Sequence, residues 1–129
     1  MPREGQELGS DAFRLRFVQL DDDVLVMEAS YGGDGQLPPE HLHPQQDERF
    51  EVVEGAVRAI VDGAERRYER GDSFDVPAGT PHQMTGDGPA RVHWEVRPAL
   101  RTAAFFEQLL TGQAGPDFLS EFRDEMRLT

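Results

Sequence analysis

The chain contains no cysteine, which excludes a disulfide framework, thiolate metal ligation and a cysteine nucleophile. Any metal it holds must be bound through nitrogen and oxygen. It is also poor in positive charge: 13 Lys and Arg face 25 Asp and Glu, for a formal charge of −12 at pH 7 and a sequence pI near 4.6. Nucleic acids and anionic membranes are bound by Lys and Arg clusters that release counterions, so neither is expected as a partner. A small molecule is the expected ligand. No run approaches the roughly 18 apolar residues of a membrane helix, and the N-terminal "MPREGQELGSDAF" has no apolar signal-peptide core. The expected location is therefore cytoplasmic. Internal repeats, low-complexity segments and interdomain linkers are absent as well, so the 129 residues are expected to form one domain.

What is present divides into a long β-like part and a short helical tail. Short apolar or alternating runs recur, among them "FRLRFVQL", "DVLVMEASY", "RFEVVEG", "AVRAIVDG", "SFDVPAG" and "ARVHWEVR". Turn-forming Gly, Asp and Pro separate them, the pattern of an antiparallel sandwich or barrel. Asp62-Gly63 is the sharpest hairpin signal, because this pair accepts the positive φ values of a tight turn. From Pro98 the period changes: Leu100, Ala103, Ala104, Phe106, Leu109 and Leu110 recur at helical spacing before Gly112. A second stripe follows "GQAGP", made of Phe118, Leu119, Phe122 and Met126. Residues 1–98 are expected to be the β-barrel and 99–129 a helical extension, packed on the barrel or at a dimer contact.

Only four histidines occur, and two stand one residue apart in "GQLPPEHLHPQQDERFEVVEG". In a strand, residues two apart point to one face with backbones roughly 7 Å apart, so His41 and His43 can form a chelating pair. Equally, they can be a solvated pair before Pro44. Glu48 shares its alternation with Phe50 and Val52 on the next strand, so it faces inward if they do, with Asp47 as rival should the register slip. His82, in "GDSFDVPAGTPHQM", follows a Pro-x-Gly turn and is a further candidate ligand, or else a turn or core histidine.

Gly35-x5-His41-x-His43-x4-Glu48-x6-Gly55 and Gly71-x5-Pro77-x-Gly79-x2-His82 together resemble the two motifs of the cupin superfamily, in its small single-domain form. The resemblance covers about residues 10–98 and leaves the tail outside. It departs from the pattern at Gly86, where the second motif, here residues 71–86, commonly ends in Asn. The resemblance implies a mainly β fold, a double-stranded β-helix or jelly roll, whose interior holds one divalent transition metal ion (Fe, Mn, Ni, Co, Cu or Zn). Carried over position by position, the implied ligands are His41, His43, Glu48 and His82. Three imidazoles and a carboxylate suit such an ion and can leave positions open to substrate.

Strand alternation then suggests a pocket walled by Phe50, Val52, Phe74, Val76 and Trp94, with Met84 near its mouth. In "ARVHWEVR", His93 and Glu95 share the face opposite Val92, Trp94 and Val96. They are second-shell or proton-transfer groups if that face looks inward, and surface or dimer contacts if it looks outward. The expected function is a metal-dependent oxygenase-type enzyme acting on a small, partly apolar organic molecule. Alternatives are a metal-dependent isomerase or cyclase, and a non-catalytic binding or sensing module. A homodimer is expected, with "FRLRFVQL" as an edge or exchanged strand.

Overall fold

The computed structural model describes residues 1–129 and places two antiparallel sheets face to face. One has the order β1 (Glu7–Gly9), β2 (Phe13–Leu20), β3 (Leu25–Tyr31), β10 (Ala90–Arg97), β5 (Asp47–Glu54) and β8 (Ser73–Val76). The other runs β11 (Arg127–Leu128), β4 (His41–Leu42), β9 (His82–Gly86), β6 (Ala56–Val61) and β7 (Ala64–Glu69). Two short helices, α1 (Thr102–Leu110) and α2 (Phe118–Glu121), lie between β10 and β11. This is the expected jelly roll with a short helical tail. No helix is long and apolar enough to cross a membrane.

Alternation decides what fills the space between the sheets. Leu15 and Phe17 of β2, Phe50 and Val52 of β5, and Val92, Trp94 and Val96 of β10 are all buried, while the residues between them are partly or fully exposed. The Asp62-Gly63 hairpin joins β6 to β7 with Val61 opposite Ala64. Both turn residues have positive φ, 51° and 81°, which matches the right-handed twist of the flanking strands.

Three expectations need correction. The strand Phe13–Leu20 is not an edge: β1 pairs along it, and Gly5 and Phe17 add backbone bonds of 2.7 Å (Gly5 N–H to Phe17 O) and 3.0 Å (Phe17 N–H to Gln6 O). The first helix begins at Thr102, because Leu100 sits at φ 47°, outside the right-handed helical region. Its buried face is Thr102, Phe105 and Phe106, whereas Leu100 and Leu109 are exposed. In the stripe that follows "GQAGP", helix covers only Phe118–Glu121, and the chain then turns into strand β11 beside β4. Phe118 and Phe122 point inward and Leu119 outward, as an i, i+4 stripe requires.

A chain of rings ties the tail to the barrel. Tyr68, Phe74, Phe50, Trp94, Phe106, Phe105 and Phe118 follow one another with centroids 4.2, 5.0, 5.2, 5.3, 5.1 and 4.9 Å apart. Such aromatic contacts contribute about 0.5–1.5 kcal/mol each beyond area burial. The helical extension is thereby continuous with the core rather than a loose appendage.

Candidate metal centre

His41 and His82 face each other across the β4–β9 pairing, and His43 follows β4 one residue beyond its end. One nitrogen from each of the three rings falls within 4.8 Å of the others, so the three could hold one metal ion. Glu48 reaches the same place from the opposite sheet. Its Oε1 lies 3.0 Å from His82 Nε2 and 3.3 Å from His43 Nε2. His43, His82 and Glu48 are only 4, 4 and 2% exposed. Asp47 points outward instead, where its Oδ1 accepts the Ala78 N–H at 2.8 Å.

The hydrogen bonds behind each ring determine what it offers in front. His41 Nδ1 lies 3.1 Å from Pro39 O, His43 Nδ1 2.7 Å from Glu125 O, and His82 Nδ1 2.9 Å from Thr80 O. A carbonyl only accepts, so each Nδ1 carries a hydrogen and each neutral ring presents an Nε2 lone pair inward. His43 Nε2 is buried with no hydrogen-bond partner, and the buried Glu48 Oε1 has no well-aligned one, His82 Nε2 being its neighbour at 3.0 Å. Buried polar atoms are rarely left so, and a divalent cation would satisfy both. Glu48 Oε2, in turn, accepts the Trp94 indole N–H at 2.8 Å.

Electrostatics favour the ligating forms of His41 and Glu48 and oppose that of His82. Burial, together with the neighbouring His82 and His43, lowers the His41 pKa to about 4, so this ring is neutral at physiological pH. Burial also opposes charge on His82, but the Glu48 carboxylate outweighs it and leaves the His82 pKa above the ordinary value. For Glu48 the penalty of burial is overcome by His43 and His82, and its pKa falls below the usual carboxylate range. A protonated His82 would pair with the Glu48 carboxylate 3.0 Å away, and an incoming ion would have to displace that proton. Metal affinity should therefore fall as pH drops through the raised His82 pKa, by about tenfold per unit where one proton competes. Calorimetric titrations in buffers of different ionisation enthalpy should show the released proton. An affinity flat from pH 8 to pH 5 would contradict the coupling.

The imidazoles open into a cavity of about 550 Å³, 13 of whose 21 lining residues are hydrophobic and none of which is arginine. Phe50, Met84 and Trp94 line it. Val52, Phe74 and Val76 do not: they are buried in the core cluster, and Phe50 stands between Phe74 and Trp94 in the ring stack, with its centroid 5.0 Å from that of Phe74. Of the two alternatives for His93 and Glu95, the outward one holds. They occupy the outward face of β10, paired with each other at 3.1 Å, because Val92, Trp94 and Val96 fill the interior face. The side chain behind Glu48 is Trp94, which strand alternation marks only as apolar wall.

Other lining residues lay outside the sequence reading. Phe105, Phe106, Leu109 and Leu110 of α1, with Met126 and Leu128 of the tail, form one side of the cavity. Tyr31 adds a phenol whose pKa is driven well above its ordinary value by burial and by the Glu48 carboxylate, so it stays protonated. Gly86 makes room for it: a Cβ at this position would lie 2.7 Å from Tyr31 Cβ. Any side chain here, the Asn of the usual pattern included, would press on both Tyr31 Cβ and the Gly88 carbonyl oxygen, each 2.7 Å from a Cβ.

Comparison with known proteins extends these observations. The chain is 35% identical over 66 residues to the tetracenomycin polyketide synthase protein TcmJ of Streptomyces glaucescens, covering 50% of this chain and 44% of that protein. It is 45% identical over 48 residues to the oxidoreductase iacF of Pestalotiopsis fici, covering 36% and 24%. The matched segment thus spans less than half the length of either relative. Among solved structures, KdgF from Halomonas sp. superposes with a TM-score of 0.64 at 24% identity over 69% of this chain and 81% of that one. An RmlC-like cupin from Shewanella frigidimarina gives 0.69 at 19% identity over 76% and 87%. Pac13 from Streptomyces, a nucleoside dehydratase, gives 0.63 at 18% over 74% and 77%. At such identities the likeness shows the fold. Residues 21–96, which contain both histidine motifs and most of the two sheets, match the cupin domain family Cupin_2, and the chain belongs to that family.

Proposed function

We propose that this cupin is a metal-dependent oxygenase-type enzyme acting on a small, partly apolar organic molecule such as a diketone, enediol or flavonol. The observation that carries the reading is a cluster of three imidazoles and one carboxylate opening into a largely apolar cavity without an arginine. His41, His43 and His82 would hold a divalent ion of the Fe, Mn, Ni, Co, Cu or Zn series, with Glu48 as fourth ligand. The bound ion supplies Lewis acidity and, when redox-active, electron exchange with oxygen.

The rest of the work falls to the chain's own residues. Backbone carbonyls of Pro39, Glu125 and Thr80 keep the imidazoles aimed inward, and Trp94 holds the carboxylate against them. Phe50, Trp94, Phe105 and Phe106 exclude water and accept a planar or apolar body. The protonated Tyr31 donates a hydrogen bond to a substrate oxygen within the same cavity. The missing arginine disfavours phosphorylated substrates, since no fixed cation answers their charge.

A second reading, Lewis-acid cyclisation or isomerisation, is favoured by the similarity to a polyketide synthase protein. Protein reconstituted with Fe(II), Mn(II), Ni(II) or Zn(II) should be incubated with diketones, enediols and flavonols, in air and anaerobically, with oxygen uptake and product mass recorded. Oxygen uptake with oxygen incorporated into the product supports the oxygenase. Anaerobic conversion at unchanged mass, or with loss of water, replaces it by the cyclase or isomerase. Saturable binding with no turnover by any ion overturns both in favour of a binding module.

A further inference from the structure

The three imidazoles are not held in the same way. His41 and His82 each donate Nδ1–H to a carbonyl two residues earlier, so their orientation is set by their own loops. His43 donates to the carbonyl of Glu125, 82 residues later and well outside the matched domain of residues 21–96. One candidate ligand is therefore oriented by the C-terminal segment.

That segment is fastened at the same residue. Glu125 is 3% exposed, and with Glu48 it is one of two buried carboxylates in the protein. Its Oε1 lies 3.3 Å from an Arg101 guanidinium nitrogen, and its Oε2 accepts the Arg101 backbone N–H at 3.3 Å. The same guanidinium covers the ring of Phe122 at 4.7 Å and donates to Glu121 O. Burying a carboxylate against water costs several kcal/mol that pairing only partly returns, so simple packing would be served better by an apolar residue. An ion pair, by contrast, fixes direction, and the carbonyl it fixes is the one that meets His43.

We propose that the Arg101–Glu125 pair is a latch positioning His43 for metal, so that docking of the C-terminal segment and assembly of the metal centre are one event. The proposal rests on the reading of His41, His43, Glu48 and His82 as ligands. Arg101 and Glu125 act here as positioning residues. With the latch released, Glu125 O moves away from Nδ1, the His43 ring is free to turn, and its Nε2 no longer points at the other donors. Partners behind metal-bound histidines commonly govern affinity by about 10–100-fold.

The test is metal affinity of the full chain, measured by titrating Co(II) and Zn(II) into metal-stripped protein and following the visible absorption of the cobalt form. Arg101→Ala and Glu125→Gln should each weaken binding by about tenfold or more and alter the cobalt spectrum. Combined, they should lose little beyond either alone, as members of one unit do. Arg101→Lys, which keeps the charge and loses the fork, provides the milder version should alanine prevent folding; an intermediate loss is expected. Leu15→Ala, in the core of the other sheet, should lower thermal stability while leaving affinity and spectrum unchanged. Latch variants with wild-type affinity and spectrum, alongside a His82→Ala control that has lost the ion, would overturn the latch and leave the ligand set standing. Undiminished metal in His82→Ala would overturn the ligand set and the latch with it.

Discussion

His82→Ala is expected to reduce metal in the purified protein from about one ion per chain to a trace, and His41→Ala to do the same. These rings face each other across β4 and β9 with centroids 4.4 Å apart, and between them they supply two of the three nitrogens that converge. Neither belongs to the apolar core cluster, so far-ultraviolet dichroism should be preserved. His82→Ala also strips Glu48 of its 3.0 Å partner in the ion-free state. His82→Gln, which can still donate to that carboxylate, separates lost ligation from a buried carboxylate left unpaired: it should fold as well as the wild type and bind as poorly as the alanine variant. One ion per chain in both alanine variants, measured by elemental analysis, would remove these histidines from the site.

The other large effect is expected at Trp94. Its ring stacks on Phe50 at 5.2 Å, meets Phe106 edge-on at 5.3 Å, and donates its N–H to Glu48 at 2.8 Å. Trp94→Ala removes all three contacts at once. Truncating a buried aromatic costs about 3–5 kcal/mol, which for a chain of this size lowers Tm by about 10–20 °C. Trp94→Phe keeps most of the burial and deletes only the donor to a buried carboxylate, a change worth about 1–3 kcal/mol. It should therefore show a smaller loss of Tm together with weakened metal binding, because Glu48 is no longer pinned. Equal Tm and equal metal affinity in Trp94→Phe and the wild type would reduce the tryptophan to a space-filling role.

These two cases differ in how they were legible. His41 and His43 stand one residue apart, and His82 follows Pro77 and Gly79 at the spacing of a second motif, so the converging nitrogens could be read along the chain. The hairpin at Asp62-Gly63 and the alternation within β2, β5 and β10 were legible for the same reason: each depends on neighbours within a few residues. The tryptophan's bond to Glu48 joins residues 46 positions apart, and a strand pattern marks only its face. His93 and Glu95 show the same limit from the other side. Alternation placed them on one face, while the choice of inward or outward waited on which residues the core would accept.

Composition excluded thiolate chemistry, alternation pointed to an antiparallel sandwich or barrel, and the spacing of the two histidine motifs carried the resemblance that implied a jelly roll with candidate nitrogen and oxygen donors, all of them local quantities. Tertiary structure alone decided the rest. It brought Glu48 across from the opposite sheet to meet His43 and His82, ended the helical tail in the two-residue strand β11, and placed the carbonyl of Glu125 behind His43. It also walled the cavity with α1 rather than with Val52, Phe74 and Val76. Such contacts join segments tens of residues apart, and they form only where packing of the whole core leaves each group a partner and a direction.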